Sequence, residues 1–313
     1  MGGLAFLFGG PGLAEPGMGR DLYNKNPLVR ESVDRADKVM TELGGVRPTK
    51  ACFAGAPDLI RHPSVAGPAV LALAHGTVRA LKARRVHPQC AAGFGWGELV
   101  ALGALGALDF DAALKLLYER GLAAEEAWNA SPWSAMAIQG LPSEVLDERF
   151  KALSEPPVWA ARLGADHGVL GGSEALLRPL HGALEKAGRA VKVTPLEPGW
   201  QWPHPRLDGA HRACVRAFQA LAFEHLPTPI QGAAEAEALR QARDWPAHLE
   251  QWGNQPLDWP AACRRLKRLG MDTALEIGSS TVLGAALHKL DTDVRVLGTE
   301  DNAAFAQAVK LSY

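Results

Sequence analysis

Gln89-Cys90-Ala91-Ala92-Gly93-Phe94-Gly95-Trp96-Gly97-Glu98-Leu99 decides how the chain is read. The first five residues are a short, mostly small and apolar run, which predicts a buried strand. Glycines at 93, 95 and 97 make the next segment a tight turn, and the apolar stretch to Leu105 predicts a helix. A buried strand passing through a glycine turn into a helix is a unit of an α/β fold.

The surroundings extend that unit. Leu4-Ala5-Phe6-Leu7-Phe8 is another apolar run, stopped by Gly9-Gly10-Pro11-Gly12, and predicts a strand feeding a loop. Helices are expected over 27–42 and 64–86. In the second, Val70, Leu73, Ala74, Thr77, Val78 and Leu81 recur at helical spacing. Asp109 is placed to cap a helix reaching about Ala127, with Leu114, Leu117 and Tyr118 toward the core.

From Ser131 the pattern changes to strand, helix, strand, strand, helix, strand, over 134–140, 143–153, 158–163, 168–171, 174–188 and 190–194. Ser143 and Ser173 stand where helix caps are expected. This βαββαβ order is the ferredoxin-like pattern. Beyond it, helices are expected at 208–222, 260–270 and 282–290, with strands at 273–277 and 294–297. The expected architecture is α/β: a large α/β hydrolase-like domain with a short parallel sheet, from 1–130 and 196–313, and an inserted ferredoxin-like subdomain, 131–195.

Composition excludes several classes. The 313 residues are 47% hydrophobic and 21% charged, and 33 basic against 34 acidic residues leave a net charge of −1. That balance gives no general nucleic-acid footprint. Lys82-Ala83-Arg84-Arg85 is read as a solvated helix end. Cys52, Cys90, Cys214 and Cys263 have no paired spacing, so neither a zinc site nor a disulfide framework is expected. No stretch has the apolar length of a membrane span, and residues 1–10 lack the basic start of a signal peptide. A cytoplasmic protein without metal or other cofactor is the expectation.

Six motifs in order resemble the malonyl-CoA:acyl carrier protein transacylase family. They are Phe8-Gly9-Gly10-Pro11-Gly12 with Gly17-Met18-Gly19-Arg20-Asp21-Leu22-Tyr23; Gly93-Phe94-Gly95-Trp96-Gly97-Glu98-Leu99; Glu119-Arg120-Gly121; Met136-Ala137-Ile138-Gln139-Gly140-Leu141; Leu249-Glu250-Gln251-Trp252 with Pro256 and Trp259; and Glu276-Ile277-Gly278 with Val282-Leu283. Together they span almost the whole chain. The resemblance implies fatty-acid or polyketide biosynthesis, with an acyl carrier protein or synthase component as partner and acyl-CoA as a further ligand. Neither nucleic acid nor membrane is implied.

The resemblance also says which chemistry belongs here. In the family a serine on the strand-to-helix turn attacks the thioester, and a backbone N–H beside it helps hold the oxyanion. Here that serine position is Gly95 and the histidine before it is Phe94. The base position falls at Pro203 in an ungapped match, with His204 one residue later as a stand-in. The oxyanion glutamine is Pro11, which has neither a side-chain donor nor a backbone N–H.

Two binding positions persist. Arg120 stands where the family holds the malonyl carboxylate, a bidentate charge-assisted contact; an arginine favoured by a helix C-terminus is the competing reading. Gln251 matches a glutamine near the family site, with one extra residue before Pro256, and a structural role is its competing reading. Phe94 and Trp96, with Trp200 and Trp202, either fill the acyl tunnel that the resemblance implies or complete the core. Cys90 reads as a buried core thiol. Ser131, Ser134, Ser279 and Ser280 stand in no elbow-like turn. The leading expectation is a pseudo-acyltransferase that binds or scaffolds a carrier protein or synthase. An acyltransferase or acyl hydrolase using relocated residues is one alternative, and an acyl-CoA or carboxylate sensor is the other.

Overall fold

The structure is a computed structural model that describes residues 2–54, 58–151, 153–186, 191–196, 203–233, 244–252, 255–278, 281–288, 290 and 293–311. Its first sheet contains β1 (Gly3–Phe8), β2 (Cys90–Gly93), β7 (Ile230–Gln231), β9 (Met271–Ile277) and β10 (Arg295–Leu297). The order is β10-β9-β1-β2-β7, and each neighbouring pair is parallel. Phe8 stands level with both Gly93 and Ile277. The three central strands therefore release their loops at one edge, where α/β folds place their sites.

The second sheet contains β3 (Ser134–Gln139), β4 (Val158–Arg162), β5 (His167–Gly172), β6 (Lys192–Leu196) and β8 (Leu257–Asp258). Its order is β6-β3-β5-β4-β8. The four strands from 131–196 pair antiparallel. β8 arrives from far along the chain and adds to the edge of β4 in parallel. Two-residue strands such as β7 and β8 carry too short a pattern for periodicity to reveal.

The helices are α1 (Arg20–Lys25), α2 (Pro27–Glu42), α3 (Pro48–Phe53), α4 (Pro63–Lys82), α5 (Gly97–Leu105), α6 (Phe110–Ala130), α7 (Ser143–Phe150), α8 (Glu174–Glu185), α9 (Asp208–Gln219), α10 (Trp245–Trp252), α11 (Trp259–Arg268), α12 (Val282–His288) and α13 (Asn302–Leu311). α4 is apolar nearly all round and packs against α2, α5 and α6 at the centre of the larger core. A smaller apolar cluster joins β3 and β5 to α7 and α8 through Met136, Ile138, Leu146, Leu170 and Leu177.

Most expected elements are present with their ends moved by a few residues. Asp109 caps α6 by accepting from the N–H groups of Asp111 and Ala112, and Ser173 caps α8 through Leu176. Ser143 does not cap: Pro142 holds that position, and the Ser143 hydroxyl donates instead to Ala165 O at 3.1 Å. Residues 82–85 are exposed at the end of α4, as a solvated helix end requires. Among the described residues no helix is long and apolar enough to cross a membrane.

Candidate functional site: a glycine turn beside a buried arginine

The turn leaving β2 is closed by backbone bonds. Phe94 N–H donates to Phe8 O, Gly97 N–H to Phe94 O, and Glu98 N–H to Gly95 O, each at 3.0 Å. Gly95 sits at φ +57°, a left-handed conformation that costs other residues about 1–2 kcal/mol. A Cβ on Gly95 would point at Leu257 of β8, 3.1 Å from its Cδ1. Gly97 is required for a different reason: a Cβ there would lie 2.1 Å from the carbonyl oxygen of Phe8. The sharp turn of the sequence expectation is present, and the residue at its apex has no side chain.

Pro11 lies buried at the start of a 3₁₀ turn, Pro11–Leu13, next to this bend. It has no donor to offer an oxyanion. Phe94 is buried and meets Trp259 edge-on, ring centroids 5.7 Å apart, so it completes the core under the turn. Trp96 is half-buried and turns the other way, toward Arg120. Trp200 and Trp202, the side chain of Gln251, and Ser279 and Ser280 lie outside the described residues.

Arg120 is only 8% exposed and lies well inside α6, ten residues before its last residue, Ala130. The helix C-terminus reading of this arginine is therefore overturned. Its guanidinium carbon stands 4.2 Å from the centroid of Trp96, a cation–π stack. Its Nε is buried with no hydrogen-bond partner, and among the described residues no carboxylate pairs with it. Burial pushes its pKa down to about 10, which leaves it cationic at neutral pH.

Across the turn, Glu98 carries a role its motif did not announce. The side chain is fully buried; Oε1 accepts Ala233 N–H at 3.0 Å, and Oε2 lies 2.5 Å from Nε2 of His248. One carboxylate thereby ties α5 to the exit of β7 and to α10. The apolar residues around Glu98 signal that a buried carboxylate needs a partner. Nothing local points to a histidine 150 residues away.

His204 and Pro203 are both described. His204 is buried, stacked on Trp133 with centroids 5.0 Å apart. Its Nδ1 accepts the N–H of Arg206 at 3.2 Å, so in the neutral ring the proton sits on Nε2. Burial, then the Arg206 charge, push its pKa down to about 4. The lone pair that a base would use is already engaged. Cys52, Cys90, Cys214 and Cys263 are buried and joined in no disulfide, and burial pushes Cys52, Cys214 and Cys263 up to about 12. Ser131 caps the end of α6 and Ser134 opens β3.

Residues 5–197 match the family described as the acyl transferase domain. A malonyl CoA-acyl carrier protein transacylase of Bacillus subtilis strain 168 is 25% identical over 313 residues, covering 99% of this chain and 97% of that one. The crystal structure of MCAT from Streptococcus pneumoniae is 28% identical, with a TM-score of 0.85 over 98% of this chain and 99% of the other. A malonyl-transacylase solved in complex with its type II PKS acyl-carrier protein shares the fold, at 22% identity, with a TM-score of 0.89 over 99% of each chain.

Proposed function

We propose that this chain, which belongs to the acyl transferase domain family, binds a carboxylate-bearing acyl thioester of the malonyl-CoA type and forms no acyl-enzyme at its elbow. One observation carries the reading: beside a turn whose apex, Gly95, has no nucleophile, a buried guanidinium persists at Arg120 with no carboxylate partner among the described residues and with its Nε unbonded. A buried charge without a partner is costly, and an anionic ligand is the partner that would offset the cost. Acyl transfer needs nucleophile, base and oxyanion donor together, and removing one member of such a unit already costs orders of magnitude.

The chain then acts as a pseudo-acyltransferase of fatty-acid or polyketide biosynthesis, in the cytoplasm. It presents a bound acyl group or its own surface to an acyl carrier protein or synthase component. The carrier-protein complex of the structural relative and the near-complete coverage of the Bacillus subtilis relative support that choice of partner. We read 1–130 and 196–313 as the α/β hydrolase-like core and 131–195 as the ferredoxin-like subdomain, with β8 lent across to it. Trp96 is read as the wall that orients Arg120. Gln251 on α10 is the remaining binding candidate, and His204 is read as structural.

The test joins intact-mass analysis to calorimetry. Malonyl-CoA should bind with no covalent mass increase and no transfer to a carrier protein, and Arg120→Ala should abolish binding. A stoichiometric acyl adduct on any serine or cysteine would overturn the proposal.

A further inference from the structure

The helix that packs against α6, which holds Arg120, carries a further buried polar group. α9 packs against α6, and His211 on α9 is 8% exposed. Its Nε2 lies 3.0 Å from the carbonyl oxygen of Glu250 in α10. A carbonyl oxygen only accepts, so Nε2 bears the proton, and Nδ1 of the neutral ring is a bare lone pair. That Nδ1 is buried and has no hydrogen-bond partner among the described residues, as is true of Arg120 Nε.

The charges around this ring are few. Arg120 on α6 acts on it electrostatically, as do Asp208 and Arg212 on its own helix; Asp208 Oδ1 is also buried without a hydrogen-bond partner among the described residues. Burial first, and then the Arg120 charge, hold the imidazole below its ordinary range against the opposing pull of the Glu250 carbonyl. Cys214, three residues on along α9, also feels Arg120. In the free protein the packed pair α6 and α9 thus holds a buried guanidinium and a neutral imidazole whose lone pair has no partner among the described residues.

We propose that His211 is the second arm of the Arg120 ligand site, and that a bound acyl carboxylate shares one solvent-derived proton with His211 Nδ1. This rests on reading Arg120 as the carboxylate-binding group. An anion seated on the guanidinium cancels the charge that disfavours imidazolium, so the ring gains a proton as the ligand arrives. The proton lies either on Nδ1 or on the carboxyl group, and both arrangements take up one proton and release none. A neutral acyl group offers only acceptor oxygens to the Nδ1 lone pair and leaves it unmatched. The site is thereby selective for carboxylate-bearing acyl groups over acetyl.

Calorimetry with malonyl-CoA, in two buffers of different ionisation enthalpy, counts the proton. Between the pKa of the free imidazole and the higher pKa of the complex the expected uptake is close to one per ligand, with affinity falling about tenfold per pH unit across that window and levelling off above it. Acetyl-CoA, which carries the same phosphates, controls for ionisation of the coenzyme. His211→Gln keeps a donor for Glu250 and should remove both the uptake and the pH slope. An NMR titration of His211 in the unaltered protein keeps the proposal testable if that variant fails to fold: added malonyl-CoA should raise the imidazole pKa. Binding that Arg120→Ala abolishes, but that proceeds with no proton uptake and no shift at His211, would overturn the role of His211 alone. No affinity for malonyl-CoA in the unaltered protein would overturn the carboxylate reading and this inference with it.

Discussion

The turn at Gly95 and the guanidinium of Arg120 meet across a single ring, that of Trp96, and they have kept opposite things. The turn keeps its backbone: a left-handed apex, three closing hydrogen bonds and the close approach of Gly97 to Phe8. It has no reactive side chain. Arg120 keeps its charge in a place where charge is costly, with nothing among the described residues to neutralise it. The shape of the turn serves the core as well as any chemistry, because Glu98 on its helix pins β7 and α10. Packing alone would therefore maintain the turn. Packing alone would replace Arg120 by an apolar residue.

Substitutions can break that comparison at graded strength. Glu98→Ala should cost most, about 3–5 kcal/mol, since it strips His248 and the Ala233 N–H of a buried partner. A denaturant midpoint close to that of the unaltered protein would mean that the pair supports nothing. Gly97→Ala comes next, at about 3 kcal/mol, because the atom its methyl would strike belongs to the Phe8 backbone and cannot swing aside. Urea unfolding measures it, and a change below 1 kcal/mol would show that the turn shifts freely.

Gly95→Ser should cost about 1–2 kcal/mol for a side chain at φ +57° that also crowds Leu257. It should stay inactive toward malonyl-CoA, because Phe94 and Pro203 stand where the family resemblance places the histidines that would serve its hydroxyl. Adding Phe94→His and Pro203→His should recover only weak transfer, since Phe94 fills core space against Trp259. Robust turnover by Gly95→Ser alone, in a carrier-protein transfer assay, would show the turn to be poised for catalysis. Arg120→Ala has the smallest expected effect on folding: the melting temperature should stay within a few degrees or rise, as an unpaired buried charge is removed. A fall of ten degrees would mark Arg120 as a structural residue.

The fold was largely legible in residue order. Apolar runs at Leu4–Phe8 and Cys90–Gly93, the helical spacing in α4 and the capping signals at Asp109 and Ser173 are local, and local patterns survive in a sequence. β7 and β8 were not legible, since two residues carry no period, and their partners lie more than ninety residues away. The cap assigned to Ser143 failed because the helix begins one residue earlier than a cap there requires, with Pro142 at the N-cap and Ser143 held inside by its hydroxyl's bond to Ala165 O.

The candidate site divides along the same line. Gly95, Pro203 and Pro11 are identities, and an identity alone determines that no hydroxyl, imidazole or amide side chain stands at those positions. What Arg120 does is a matter of surroundings, and only the fold decides those. α6 runs on to Ala130, so the arginine is not at a helix end; α5 brings Trp96 onto its face; α9, packed on α6, carries His211, whose Nδ1 has no hydrogen-bond partner among the described residues. The pairing of Glu98 with His248 is of the same kind. Side-chain identity limits which reactions are available, whereas burial, partner and protonation arise from contacts between residues distant in the chain, which the tertiary structure alone creates.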